Sequence, residues 1–240
     1  SLIASNYVGL EVEIDPATLE PRTDDVEAYD VFAAGLGRDF YGQVLRTLEQ
    51  VGGYVRCGEC AMPRADRRNY YIYPYDFRLD NLRSVRGLHE LIERIRDDFG
   101  DPRLQVDILA HSNGGLLARY FARYGDAELP ESGPFEPTGA GAPAIRRLLL
   151  VGTPNLGTIQ PVLSHLRGEE AGLRRIPLEV IATFTGAPQI MPHPAVPWLL
   201  DVKGRPLEHS LYDIATWRAL GWSLFDDYVA DRTARRHGSG

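Results

Sequence analysis

Gln105-Val106-Asp107-Ile108-Leu109-Ala110-His111-Ser112-Asn113-Gly114-Gly115 is the stretch on which the fold turns. Gln105 to Ala110 read as a short strand. After Gly115 the residues Leu117, Tyr120, Phe121 and Tyr124 recur at three- and four-residue steps, as on a helix with one apolar face. Only a few residues remain for the turn between them. A serine on so tight a strand-to-helix turn is forced into a strained backbone that lifts its hydroxyl above the strand end. Small residues two places before and after it, Ala110 and Gly114, relieve the crowding. Ser112 is therefore the candidate nucleophile, and the backbone N–H of Asn113, at the helix N-terminus, is the candidate oxyanion donor. The plainer reading is that Ser112 merely caps the helix, serine being a favoured N-cap. The strand before it, the glycine pair after it and His111 beside it favour the nucleophile.

Working outward, Leu82, Val85, Leu88, Ile92, Ile95 and Phe99 form a helical stripe, with Glu90 spaced to pair with Arg94 and Gly100-Asp101-Pro102 as the stop. Tyr70-Tyr71-Ile72-Tyr73 is a β-favouring run ended by Pro74. Phe40, Val44, Leu48 and Val51 predict a helix between Asp39 and Val51, stopped by Gly52-Gly53. Leu10, Val12 and Ile14 alternate with Glu11 and Glu13 and predict a half-buried strand running into a turn at Asp15-Pro16. Downstream, Arg146 to Val151 predict a buried strand broken by Gly152-Thr153-Pro154. Strands alternating with helices in this way imply parallel pairing and a layered α/β sheet. From Ser164 to Pro206 the pattern breaks into Gly, Pro and short apolar pieces without a clean strand, as in an inserted lid. With 240 residues, 44% of them hydrophobic, the chain is expected to form a single domain with a lid at 164–206 and a disordered polar tail at 231–240.

A net charge of −7 without a basic stripe argues against a nucleic-acid partner. The longest apolar runs, such as Leu148 to Val151, fall far short of the roughly 20 residues that span a bilayer. Cys57-Gly58-Glu59-Cys60 lacks the further ligands zinc would need and sits in loop-like sequence, so a small disulfide or two idle thiols is expected, with no metal and no cofactor. The acidic balance and the cysteine pair lean towards an exported protein.

Three further strings resemble the lecithin:cholesterol acyltransferase family of α/β-hydrolases. Tyr73-Pro74-Tyr75-Asp76-Phe77-Arg78-Leu79 is similar to that family's PYDWRL, with Phe77 in place of tryptophan. Gly152-Thr153-Pro154-Asn155-Leu156-Gly157 resembles its GTPxxG loop, and Phe40-Tyr41-Gly42 with Gly53-Tyr54 resembles the segment preceding PYDWR. Taken with Ala110 to Gly115, the strings run in the family's order from about Val31 to Gly157. The resemblance implies an α/β-hydrolase fold, an acyl-enzyme at Ser112 drawn from an ester lipid, peripheral contact with a lipid surface, and Gly152, Thr153 and Pro154 along the substrate pocket. Asp76 and Arg78 read as an internal ion pair rather than as catalytic groups.

In α/β-hydrolases the order is Ser, then Asp or Glu, then His, each on a loop after a later strand. No such rhythm follows Val151. His165, His193, His209 and His237 read as loop or helix-surface histidines, and Asp201 with His209 is the least implausible pair. Gly35-Leu36-Gly37 is a weak substitute for the loop carrying the first oxyanion donor. The expectation is a partial α/β-hydrolase domain, inactive by itself, whose acid and base lie outside residues 1–240. The rival reading is a non-catalytic hydrolase-fold module that binds lipid or a partner without a complete triad.

Overall fold

The computed structural model describes residues 7–15, 17–18, 20–22, 26–31, 33–35, 38–58, 63, 68–130, 132–171, 174–207, 209–227 and 229. The expected disordered tail at 231–240, His237, Cys60 and the Leu36-Gly37 pair lie outside them. Two compact units divide the chain, one made of residues 26–76 and 82–153, the other of 1–25, 77–81 and 154–240.

The first unit carries β1 (Ala34–Gly35) antiparallel to β2 (Arg38–Asp39), then α1 (Gly42–Arg46), which widens into a π-helical turn over Thr47–Val51. β3 (Tyr54–Arg56) pairs in parallel with β4 (Arg68–Tyr70). After α2 (Asn81–Phe99) come β5 (Val106–His111), α3 (Asn113–Tyr124) and β6 (Ile145–Val151). β5 and β6 are parallel and in register from Asp107↔Arg147 to His111↔Val151. The predicted alternation of strands and helices is thus realised as two parallel pairs, and the helix and strand around Ser112 lie where the periodicity put them.

The core of this unit is Val85, Leu88 and Ile92 of α2 packed with Leu117, Ala118 and Phe121 of α3 over Ala110 of β5. Val106, Ile108, Ile145 and Leu148 close it from the strands. Both helical stripes therefore bury most of the face that their three- and four-residue spacing assigns to the interior, Phe99 at the end of α2 being exposed. Along α2 Arg96 pairs with Glu93, and among the described residues the spacing pair Glu90 and Arg94 forms no ion pair.

Three expectations are corrected here. β6 is a strand but is not buried on both sides, because Leu149 and Val151 are about half exposed and so is Leu109 opposite them. The helices cover the face carrying Ile108 and Leu148, and the other face of the pair stays open among the described residues. The stripe of α1 and its π-turn is exposed as well, with Phe40, Val44 and Val51 all at the surface. β4 ends at Tyr70, so Tyr71 to Tyr73 lie outside a ladder among the described residues.

In the second unit, residues 7–10 form a 3-10 turn, and Ile14 makes one isolated antiparallel bridge to Pro21. The strand expected over Leu10 to Ile14 does not form, since the amide of Val12 is taken by the Thr183 hydroxyl at 3.0 Å instead of by a neighbouring strand. The turn at Asp15 is as expected, its carboxylate accepting from the amides of Ala17 and Thr18. The stretch from Ser164 to Pro206 contains more order than its composition suggests. α4 (Gln160–Arg167) leads into a hairpin of β7 (Glu169–Ala171) and β8 (Arg174–Ile176), and α5 (Leu178–Ile181) follows. Gly168 makes the hairpin start feasible, with φ at +75° and no room for a Cβ against the carbonyl of Ile176. α6 (Ile214–Ala219) is capped by Asp213, which accepts from the amide of Ala215. Two clusters hold this unit. One joins Val12, Leu79, Ile176, Val180, Ile181 and Phe184, and the other joins Val162, Met191, Leu211 and Trp217. No helix among the described residues is long and apolar enough to cross a membrane.

Candidate active site

Ser112 occupies the single residue between β5 and α3 with φ at +52° and ψ at −126°. For a residue with a Cβ this is a sparsely populated region, costing on the order of 1–3 kcal/mol. Two backbone bonds hold it there: the amide of Ser112 donates to the carbonyl of Val151 at 2.9 Å, and the amide of Gly115 donates to the carbonyl of Ser112 at 3.0 Å. Although Ser112 stands at the N-cap position of α3, its side chain makes no capping bond. Capping alone therefore does not account for a serine here, because a cap residue has unstrained extended backbone and uses its hydroxyl on the helix amides. Asn113 contributes the first amide of α3.

The glycine pair divides its duties differently from the sequence-based expectation. A Cβ on Gly114 would meet nothing closer than the Tyr75 hydroxyl at 3.9 Å, whereas one on Gly115 would lie 1.9 Å from Thr153 Oγ1. The steric requirement is at Gly115, where the first turn of α3 presses on the residue after Gly152. Gly152 itself has φ at +60° and ends β6. Thr153 Oγ1 is buried without a hydrogen-bond partner among the described residues.

Aromatic residues frame the turn. Tyr75 is half-buried beside α3, where its phenol is hydrogen-bonded to the Asn113 side chain. Burial raises the pKa of Tyr75, the Asn113 bond offsetting part of the rise. Tyr75 stacks on Tyr73, whose hydroxyl donates to the carbonyl of Ser84 at 2.6 Å. Burial pushes Tyr73 up to about 12, with the Glu90 carboxylate adding to it. Both phenols therefore stay protonated at neutral pH, and the string resembling PYDWRL braces the turn at Ser112 through its tyrosines. Tyr41, preceding α1, hydrogen-bonds His111 Nδ1 through its hydroxyl at 2.8 Å, with the two rings edge to face.

The second half of that string belongs to the other unit. Arg78 is buried and donates to the carbonyl of Leu10 at 2.9 Å, so its guanidinium has a structural partner in the backbone. Phe77 lies edge-on to Phe184. The turn of Phe77 to Leu79 approaches Gly186 so closely that a Cβ there would lie 2.3 Å from the carbonyl of Leu79. Pro154 accepts from the amide of Gly157, and Leu156 and Thr158 exchange backbone bonds with His193 and Ile190. The loop ending at Gly157 is thus knitted to residues 190–193, and Pro154 serves that turn.

Two of the downstream histidines, His165 and His193, are engaged by local backbone groups. His165 is buried, not on a helix surface as expected: its Nδ1 bonds the carbonyl of Pro161 at 2.8 Å and its ring lies edge-on to Trp217. Burial lowers its pKa, only partly offset by the Pro161 bond. His193 Nδ1 accepts from the amide of Ala195. Asp201 accepts from the amides of Lys203 and Arg205 and from the Arg205 side chain, which hold its carboxyl below the usual range. It is the pivot of its own turn and not a partner for the exposed His209. One histidine–carboxylate pair escaped the sequence reading, His89 with Asp126 at 3.0 Å. Asp126 lies just past the far end of α3, so the roughly 18 Å length of that helix separates it from Ser112. Cys57 is a buried free thiol, its pKa raised by burial, and its Sγ lies 3.3 Å from Asn69 Oδ1.

Individually curated proteins offer no match to the chain. The family model described as lecithin:cholesterol acyltransferase matches residues 64–210. The match takes in the tyrosine string, the Ser112 turn and the Gly152 to Gly157 loop, and it runs on through the lid-like stretch. Phe40-Tyr41-Gly42 falls before it. Because it covers more than half of the chain, the protein belongs to the lecithin:cholesterol acyltransferase family, whose enzymes act on the acyl groups of lipid esters.

Proposed function

We propose that the intact protein is a serine-dependent lipid esterase or O-acyltransferase that forms an acyl-enzyme at Ser112. The observation that carries this reading is the backbone of Ser112, held at positive φ at the head of α3 with a side chain that makes no capping bond. Such strain persists where function selects it. Oγ attacks the acyl carbon of the ester, its proton passes to a general base, and the alcohol leaves as the tetrahedral intermediate collapses. Water or a second alcohol then takes the acyl group. The Asn113 amide, aided by the partial positive charge of the twelve-residue α3, faces the developing oxyanion.

The surrounding architecture in this reading is an α/β-hydrolase sheet, of which β5–α3–β6 is the central crossover. Gly152 and Thr153 at the end of β6, with Pro154 after them, line the acyl pocket, where open α/β sheets receive ligands. Of the apolar residues in the lid-like stretch, Phe184 and Met191 are core, whereas Leu200 is about half exposed. The general base and its acid partner are not among the pairs formed by the described residues.

A fluorophosphonate probe with peptide mapping tests the nucleophile. Label is expected on the peptide containing Ser112 and is expected to vanish in Ser112→Ala. Label persisting in that variant would reject the assignment, and an intact protein that binds lipid but never labels would favour the non-catalytic module.

A further inference from the structure

Beside Ser112 stands an imidazole that the acyl-enzyme chemistry does not use. His111 ends β5 opposite Val151, and its side chain shares the open face of the pair with Asp107 and Leu109. Tyr41 Oη reaches its Nδ1 at 2.8 Å, with ring centroids 5.6 Å apart at an interplanar angle of 78°. At the other end of the ring, Nε2 lies 4.0 Å from the point where a side chain on Gly152 would begin. Gly152 carries no such side chain, and among the described residues no partner engages Nε2. The residue is exposed. One ring nitrogen is therefore tied down, while the other is open to solvent beside the turn that carries Ser112.

Which nitrogen holds the proton follows from the bond at the first. A phenol is the stronger donor and a bare imidazole nitrogen the stronger acceptor, so Tyr41 donates to Nδ1 and the proton of the neutral ring resides on Nε2. We propose that His111 is a substrate-binding residue whose Nε2–H donates to an oxygen of the ester lipid arriving at Ser112, with Tyr41 as the positioning residue that fixes the tautomer. This rests on the reading of Ser112 as the acylated residue. The acceptor oxygen is either that of the ester itself or one of a head-group phosphate, and the two are separable by substrate.

The test uses the intact protein with selectively 15N-labelled histidine, in wild type and in Tyr41→Phe, His111→Gln and His111→Phe. Wild-type His111 is expected to show one tautomer with the proton on Nε2, and Tyr41→Phe a mixture. Tyr41→Phe is expected to raise KM roughly 3- to 10-fold with kcat little changed, the size of one lost hydrogen bond. His111→Gln, whose amide can stand in for Nε2–H, is expected to retain most of the affinity, and His111→Phe to lose it despite similar packing. A loss seen equally with a p-nitrophenyl acyl ester and with phosphatidylcholine places the acceptor on the ester, and a loss confined to phosphatidylcholine places it on the head group. Unchanged KM in His111→Phe for both substrates, or a wild-type proton on Nδ1, would overturn the proposal. Fluorophosphonate labelling of the same variants keeps the two readings apart. If Ser112 labels while KM is indifferent to His111, only this inference fails, and if wild-type Ser112 never labels, the acyl-enzyme reading fails and takes this one with it.

Discussion

A side chain begun at Gly115 would sit 1.9 Å from Thr153 Oγ1 and 2.8 Å from two further atoms of Thr153, while its neighbour Gly114 faces open space out to the Tyr75 hydroxyl at 3.9 Å. Contact at 1.9 Å cannot be absorbed without moving either α3 or the turn after β6, and both are tied to Ser112 through the backbone. Gly115→Ala is therefore expected to destabilise the protein by about 1–3 kcal/mol and to weaken labelling at Ser112, whereas Gly114→Ala is expected to change stability by less than about 0.5 kcal/mol. Thermal denaturation of the two variants side by side checks this, and equal losses would show that the crowding at Gly115 is not real. At His165 the expectation concerns pH. Burial lowers its pKa from the ordinary 6.5, so below that value the unfolded chain binds a proton that the folded chain resists. The corresponding stability is fully present above about pH 6.5 and declines as the pH falls. Denaturant midpoints compared at pH 7.5 and pH 5 are expected to drop more in wild type than in His165→Asn, which can keep a donor for the carbonyl of Pro161 without gaining a charge. A parallel drop in both would remove His165 from the account.

Between elements, the backbone contacts of Gly157 decide how the family loop folds. Its φ is +76°, and a Cβ would fall 2.0 Å from the carbonyl of Met191, so both conformation and space exclude any other residue. Gly157→Ala is expected to disorder the 156–158 and 190–193 pairing, read as a rise in amide hydrogen exchange at Thr158 and His193, whose amides donate across it. Unchanged protection there would refute the assignment. The same scale shows what could be read in advance. α2, α3, β5 and β6 were legible because each is a long periodic segment whose packing partners follow from its own stripe. The strained serine was legible because a strand and a helix so close together leave no other conformation. The hairpin of β7 and β8 was not, since three-residue strands carry no measurable period and its start depends on Gly168 fitting against Ile176. The 3-10 turn at Tyr7–Leu10 was missed for the opposite reason, because the alternation of Leu10, Val12 and Ile14 is real but the bond to Val12 comes from a threonine 171 residues away. Burial of His165 depended likewise on Trp217, beyond any local pattern.

For the molecule as a whole, two features meet in one expectation about residues 1–240 studied alone. The first is chemical. A serine hydroxyl at neutral pH is a poor nucleophile until a histidine oriented by an acid takes its proton, and among the described residues His165 and His193 are held by local partners while His89 pairs with Asp126 past the far end of α3. Loss of the triad as a unit costs on the order of 10⁶ in rate, about 8 kcal/mol of barrier. The second is physical. Leu109, Leu149 and Val151 on the β5–β6 pair and Phe40, Val44 and Val51 around α1 leave apolar surface open in the same unit. Surface of that kind on a strand pair that, among the described residues, has two members invites association with other chains. We therefore expect the purified 240-residue chain to hydrolyse p-nitrophenyl esters near the background rate and to self-associate as its concentration rises. Esterase assays paired with analytical ultracentrifugation decide it. Brisk turnover by a monomeric 240-residue chain, abolished by His209→Ala or Asp201→Asn, would mean that the turn at Asp201 opens to form a working triad and that the acid and base lie within these residues after all.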